Sequence, residues 1–198
     1  MTGLPPHIFL TLRDDIPDVV ENDIRAQLDL PGLNLMVMRK PSGTFAGVEL
    51  YLPTAAGLFI AAGFFNGFLQ KAGEDCYGRL KIAAKELWQQ TKGVNVTTVG
   101  TSGKVSTTRR YSLAYSITGE IVRGLNFKFV IQTDIDPQDA EKGITAFLEL
   151  IADLHNDRVE KTDCEALLTH RPVGGTVLVT YDTTKRKIVP INAFSDRA

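Results

Sequence analysis

The chain has 198 residues, 43% hydrophobic and 23% charged, and a net charge of −1. These values fit one globular domain over residues 1–198, long enough to bury roughly two-thirds of its unfolded surface, and they exclude disordered and collagen-like classes. Near-neutral charge gives no global pull toward nucleic acid, and no specific nucleic-acid partner is expected.

The charge is unevenly spread. Residues 1–70 carry net −3, residues 71–129 net +6 and residues 130–198 net −4. A basic middle between acidic ends suits contact with anionic partners, or simply marks solvated faces. Two cysteines, Cys76 and Cys164, make no disulfide framework. The N-terminus has neither a basic region nor an apolar run before a cleavage site. Both features point to a reducing, cytoplasmic setting.

In chain order, residues 7–12 (HIFLTL) read as a buried strand. Asp15 and Pro17 mark a helix start, with Asp15 as the expected cap, and Ile16, Val20, Ile24 and Leu28 recur every four residues as one apolar stripe. Pro31-Gly32 ends that helix. Residues 33–39 (LNLMVMR) and 45–52 (FAGVELYL) read as two more strands.

A long apolar, glycine-punctuated stretch follows, residues 53–91. Its second half, from Glu74, is amphipathic. Tyr77, Leu80, Ala84, Leu87, Trp88 and Thr91 share one face, and Lys81, Lys85, Gln89 and Lys92 form a basic stripe that Gly93 terminates. Residues 94–99 form a weak strand and residues 100–106 its loop. Tyr111, Leu113, Tyr115 and Ile117 alternate with small polar residues, and Leu125, Phe127, Phe129 and Ile131 repeat the pattern across a turn at residues 119–124, which predicts a hairpin. Asp136 caps the next helix, with Pro137 in its first turn and Ala140, Ile144, Phe147, Leu148, Ile151 and Leu154 on its buried stripe. A short helix over residues 161–169 and a closing hairpin around residues 182–184 complete an α+β pattern. A mixed or antiparallel sheet should pack against the long apolar helix and a second amphipathic one.

No catalytic constellation stands out. Gly100-Thr-Ser-Gly103-Lys104 lacks the spacing and the Lys-Ser/Thr pair of a phosphate loop, and reads as a turn. Asp153, His155 and Asp157, with Cys164 and His170 beyond, do not converge as a metal set, because His155 leaves the helix face that the two aspartates share. Cys76 follows Glu74 and Asp75, whose charges would raise a thiol pKa, so packing suits it better than nucleophilic work. Arg13, Asp14 and Asp15 sit in a loop after the first strand, where sites often lie. No metal and no cofactor is expected.

The apolar stretch therefore carries the functional reading. Residues 50–70 contain no charge and, if helical, reach about 30 Å, the thickness of a hydrocarbon core. Pro53, Asn66, Gln70 and the glycines argue against a membrane span. Phe59, Phe64, Phe65 and Phe68 would cover most of a helix circumference, which calls for burial on all sides or a non-aqueous partner. Gly63 and Gly67, four apart, would let another element approach the backbone closely.

Leu52-Pro53-Thr54-Ala55, running through Phe64-Phe65-Asn66-Gly67-Phe68-Leu69 into Ala72-Gly73-Glu74-Asp75-Cys76-Tyr77, resembles a group of short bacterial proteins that pair an LPTA-type helix start with an AGxDxY segment. The resemblance covers mainly residues 52–90 and implies no activity. Residues 57–67 are also similar in composition to viral fusion peptides.

The expectation is a bacterial, non-enzymatic protein that associates with itself or with a protein partner through the apolar helix. Phe59, Phe64, Phe65, Phe68, Gly63 and Gly67 would form the interface, and Lys81, Lys85, Arg109 and Arg110 would contact anionic groups, including an anionic membrane surface. Two alternatives remain open: a membrane-active effector that releases residues 54–70, and a small hydrolase or nucleotide-binding enzyme using Arg13/Asp14 or Arg109/Arg110.

Overall fold

The computed structural model describes residues 5–42, 54–96, 110–169 and 171–192. Its strands are β1 (Ile8–Arg13), β2 (Leu35–Lys40), β3 (Ala56–Ile60), β4 (Tyr111–Val122), β5 (Leu125–Gln132), β6 (Thr176–Asp182) and β7 (Lys187–Pro190). They form one mixed sheet in the order β2-β1-β3-β4-β5-β6-β7. The pairs β1/β2, β3/β4 and β5/β6 are parallel, and the pairs joining them are antiparallel. A parallel pair requires a crossover, and helical segments lie in the sequence between each. These are α1 (Asp18–Gln27), then a π-helical turn (Phe64–Leu69) running into α2 (Gln70–Ala72) and α3 (Glu74–Thr91), then α4 (Pro137–His155) with the short α5 (Lys161–Leu167). The architecture is α+β, as the run pattern implies.

The helices that build the core all lie on one face. Ile8, Leu10 and Leu12 of β1 register with Ile60, Leu58 and Ala56 of β3, and that row continues through Tyr115, Ile117, Phe129 and Val179. These residues form one buried cluster with Val20 and Ile24 of α1, Leu80 and Leu87 of α3, and Ile144, Phe147 and Ile151 of α4. The topology has a geometric consequence. The β1→β2 and β5→β6 connections step in opposite directions along equally oriented strands while their helices share a face, so these two crossovers differ in hand, an uncommon arrangement.

Expected and observed elements agree best where caps and periodicity coincide. The α3 helix spans the amphipathic Glu74–Thr91 segment. Asp136 caps α4, its carboxylate accepting from the Gln138 amide at 2.8 Å. The expected helix over residues 54–70 is not one helix. Ala56–Ile60 is an inner strand of the sheet, and helical backbone begins only at Ala62. A short run apolar on every side fits a doubly buried strand as well as a buried helix, and periodicity alone does not separate them. Gly73, at φ 78°, breaks α2 from α3 with a backbone conformation that costs glycine little.

Asp15 is not the α1 cap. Its carboxylate pairs with Arg13 at 2.5 Å, and Pro17 occupies the cap position without a side-chain bond. The β4 strand runs on to Val122, so the β4–β5 turn is shorter than the expected residues 119–124. Residues 94–96 lie outside any strand. The expected strand at 45–52, the remainder of 94–99 and the loop at 100–106 fall outside the described residues.

Candidate functional site

The face of the sheet opposite the helices is the candidate site. Strand alternation sends every second side chain there. One row runs Met36, Phe9, Phe59, Thr118, Lys128 and Leu178, and the next runs Met38, Thr11, Gly57, Ser116 and Val130. None of the helices packed on the core covers these rows. Their β2 side is open: Met36 is 45% and Met38 47% exposed, beside half-buried Phe9 and Phe59, whose rings meet edge to face at 5.7 Å.

Toward the centre of the sheet the same face is polar and buried. Of the five buried polar residues among the described ones, Thr54, Ser116, Lys128 and Thr180 lie here. The Thr54 and Ser116 hydroxyls are 2.7 Å apart, Thr54 also donates to the Ala56 carbonyl at 2.7 Å, and Thr11 donates to the Gly57 carbonyl at 3.3 Å. Thr180 donates to the Val130 carbonyl at 2.9 Å. Burial, with a smaller contribution from the Lys40 charge, pushes the Lys128 ammonium down to about 8, because a low-dielectric setting disfavours the charged form.

Two clefts open near the arginines singled out from sequence. The one at Arg13, bounded by Thr11, Lys40, Thr54 and Val96, has a volume of only about 10 Å³. Arg13 there is engaged with Asp15 and with the Asn95 carbonyl at 2.9 Å. The other is an open groove of about 570 Å³ at the end of β4–β7, lined by Arg110, Tyr111, Gln132, Thr180, Asp182 and Asn192 among others. Its volume is in the range of ligand pockets. Its described lining is amides, hydroxyls, two charges and the apolar Val189, Pro190 and Ile191, with no histidine or cysteine among these residues to act as base or nucleophile. The Asp182 carboxylate accepts from the Thr184 and Lys185 amides, both at 2.9 Å, and these bonds and the nearby Lys185 hold its pKa below the usual carboxylate value. It serves the β6–β7 turn.

The expected interface residues lie elsewhere. Phe64, Phe65 and Phe68 are 0%, 3% and 8% exposed and belong to the core cluster on the helix side. Phe59 is a strand residue on the opposite face. A Cβ on Gly63 or Gly67 would meet no atom within 4 Å, so no other described element approaches either glycine closely. That role falls to Gly143 of α4, where a Cβ would lie 2.8 Å from the Tyr181 Cβ, and to Gly119, which faces Ile151. Tight helix-on-sheet packing is therefore present, at glycines other than those expected.

The basic stripe of α3 faces α4 in part. Lys81 pairs with Glu149 at 2.8 Å and stands over the Tyr77 ring, and Gln89 donates to Glu141 at 2.8 Å. Lys85 is half-buried. Arg110 stacks over Tyr111, with 5.5 Å to the ring centroid, and Arg109 lies outside the described residues.

Both described histidines clamp the π-helical turn. His155 stacks on Phe65 at 4.9 Å, with its ring nitrogens 3.1 Å from the Asn66 side-chain oxygen and 2.8 Å from the Glu120 carbonyl. His7 stacks on Phe68 at 5.1 Å and accepts from the Asn34 amide at 3.1 Å, and burial lowers its pKa. The Glu120 carboxylate accepts from the Ala62 amide, closing the start of the helical run. No group of three potential metal ligands occurs among the described residues, and His155 is occupied by packing. Burial pushes the Cys76 thiol up, as a packing residue requires, with Arg79 opposing only in part. No helix of the described residues is long and apolar enough to cross a membrane.

The residues that sequence reasoning passed over are Met36, Met38 and Lys128. Their signal was the phase of alternation: Met36 and Met38 share one side of a strand, and Lys128 interrupts Phe127 and Phe129. Compared with protein-family models, curated proteins and solved structures, the chain matches none of them.

Proposed function

We propose that this protein works by association rather than catalysis, and that its contact surface is the β2 side of the sheet face opposite α1, α3 and α4 instead of the apolar helical turn. One observation carries the reading: Met36 and Met38 stand exposed on the strand that ends the described sheet, Met36 in one row with Phe9 and Phe59. Large apolar side chains side by side on a strand at the sheet boundary are a recurrent feature of contact surfaces. The phenylalanines of the π-helical turn have little surface left to offer a partner.

Oxidation footprinting tests this directly, because the chain has three methionines and two of them are Met36 and Met38. In dilute purified protein both should oxidise at nearly the rate of a free methionine. In concentrated protein, or in extract of the producing cell, the rate should fall several-fold. Equal rates under every condition would remove the reading.

A second reading, a binding site for a small polar molecule, is favoured by the 570 Å³ groove at Arg110. A ligand screen read by amide chemical shifts separates the two. Shifts confined to Gln132, Thr180 and Asn192 would favour the groove, and an inert groove would remove this alternative.

A further inference from the structure

The two edges of the sheet formed by the described residues are built differently. The β7 edge is four residues long, begins with Lys187 and ends in Pro190, which lacks an amide to donate. Short length, lysine and proline are the devices by which natural sheets block strand addition. The β2 edge has six residues, Leu35–Lys40, with no proline within it and its lysine only at the last position. Its one arginine does not guard it either. Arg39 is folded back under α1, donating to Asp18 at 2.8 Å, to Glu21 at 3.1 Å and to the Ile16 carbonyl at 2.7 Å.

We infer that the partner of this edge is a second copy of the same chain, its β2 added antiparallel to the first so that the two described sheets join across the pair. The inference rests on the association reading above and names its partner. Charge selects the orientation. The strand carries both its cations at one end, Arg39 and Lys40. A parallel neighbour would set like charges side by side. An antiparallel pair centred on Val37 puts the two Arg39 residues about 13 Å and the two Lys40 residues about 20 Å apart along the strands, at ~3.3 Å per residue. Both separations exceed the screening length of about 8 Å at physiological salt.

The same register places Met36 of each copy opposite Met38 of the other, because residues facing across an antiparallel pair point to the same side. The Phe59–Phe9–Met36 row of each copy then abuts the Met38–Thr11 row of the other. The symmetry is two-fold and the contact closes on itself, which limits assembly to a dimer. A six-residue strand buries less area than a standard stable interface, so the dimer is expected to be weak and to depend on concentration.

Sedimentation of the full chain from a few micromolar to several hundred micromolar should show a monomer–dimer equilibrium. Met38→Glu, which alters an exposed side chain and should leave the fold intact by circular dichroism, should weaken that equilibrium at least tenfold. Under mild oxidation Val37→Cys should give a covalent dimer that the wild-type chain and Leu35→Cys do not give, since only position 37 faces itself in this register. A monomer at every concentration would overturn the second copy as partner, and footprinting of Met36 and Met38 in cell extract would still report separately on association. A dimer that forms without the Val37→Cys cross-link, and is unaffected by Met38→Glu, would overturn the β2 pairing.

Discussion

The two faces of this sheet are made from the same strands, yet they are solved by different physics. On the helix side, Ile8, Leu58, Ile117, Phe129 and Val179 meet α1, α3 and α4 in one apolar cluster, and the contacts are tight enough that Gly143 has no room for a methyl group. On the other side the rows change character along the sheet. They are exposed and apolar at Met36 and Met38, then hydroxyl-rich around Gly57, then buried around Lys128. Alternation with period two predicts which residues share a face. It does not predict which face the helices will cover, because that depends on the direction and hand of three crossovers.

The sharpest test of this contrast compares two phenylalanines. Phe64→Ala, in the core, should cost about 3–5 kcal/mol in urea denaturation. Phe59→Ala, half-buried on the opposite face, should cost about 1–2 kcal/mol. Equal losses would mean that the faces do not differ as described.

The next effect lies with Lys128. Its ammonium is held near 8 in the folded chain, against an ordinary value of about 10.5 when unfolded. Between those values the unfolded chain binds more protons, so stability should rise as pH climbs from about 8 to 10.5, by on the order of 3 kcal/mol. In Lys128→Met that rise should flatten while the rest of the pH profile keeps its shape. A rise of unchanged size in the variant would show that Lys128 is not buried as a charge.

The glycines offer a smaller and opposite pair of effects. Gly143→Ala should destabilise by about 1–3 kcal/mol through overpacking against Tyr181 and Phe129. Gly63→Ala, in open space at a helical φ of −60°, should be neutral or stabilising by up to about 1 kcal/mol. Thermal denaturation of the two variants side by side decides it, and a loss at Gly63 would reinstate that glycine as a contact position.

The smallest expected effect is the acid response of His7. Its folded pKa is lowered, so the unfolded chain takes up a proton near 6.5 while the folded chain resists. The stability this neutral ring contributes is complete above about pH 6.5 and declines as pH falls below it. His7→Asn keeps an acceptor for the Asn34 amide but cannot charge, so its melting temperature should fall less between pH 6.5 and 5. Parallel curves for the two proteins would argue that acid does not reach the clamp on the π-helical turn.

Much of the fold was legible before any coordinates. The stripe Ile16, Val20, Ile24 and Leu28 is buried throughout, Asp136 and Pro137 start α4, and the amphipathic segment from Glu74 to Thr91 is one helix. In each case the signal is local: a cap, a turn residue or a period carried by neighbours within a few turns. The misreadings share a cause. Asp15 had the chemistry of a cap, but Arg13 is two residues away and claims the carboxylate. Residues 56–60 had the composition of a buried helix, but the slot between β1 and β4 required a strand.

The candidate site was less legible. Phe64, Phe65 and Phe68 drew attention because they form a run of aromatics, and a run signals burial without saying what does the burying. Met36, Met38 and Lys128 became informative only when the strand order placed β2 at an edge and β5 within the sheet. By itself, then, the sequence determined the elements whose cues lie within one helix or strand, and the two phases of each strand. Tertiary structure alone decided which phase met the helices, which strand was left at the boundary, and which glycine lay against the sheet. Those outcomes depend on contacts between residues far apart in the chain, whose geometry no local pattern encodes.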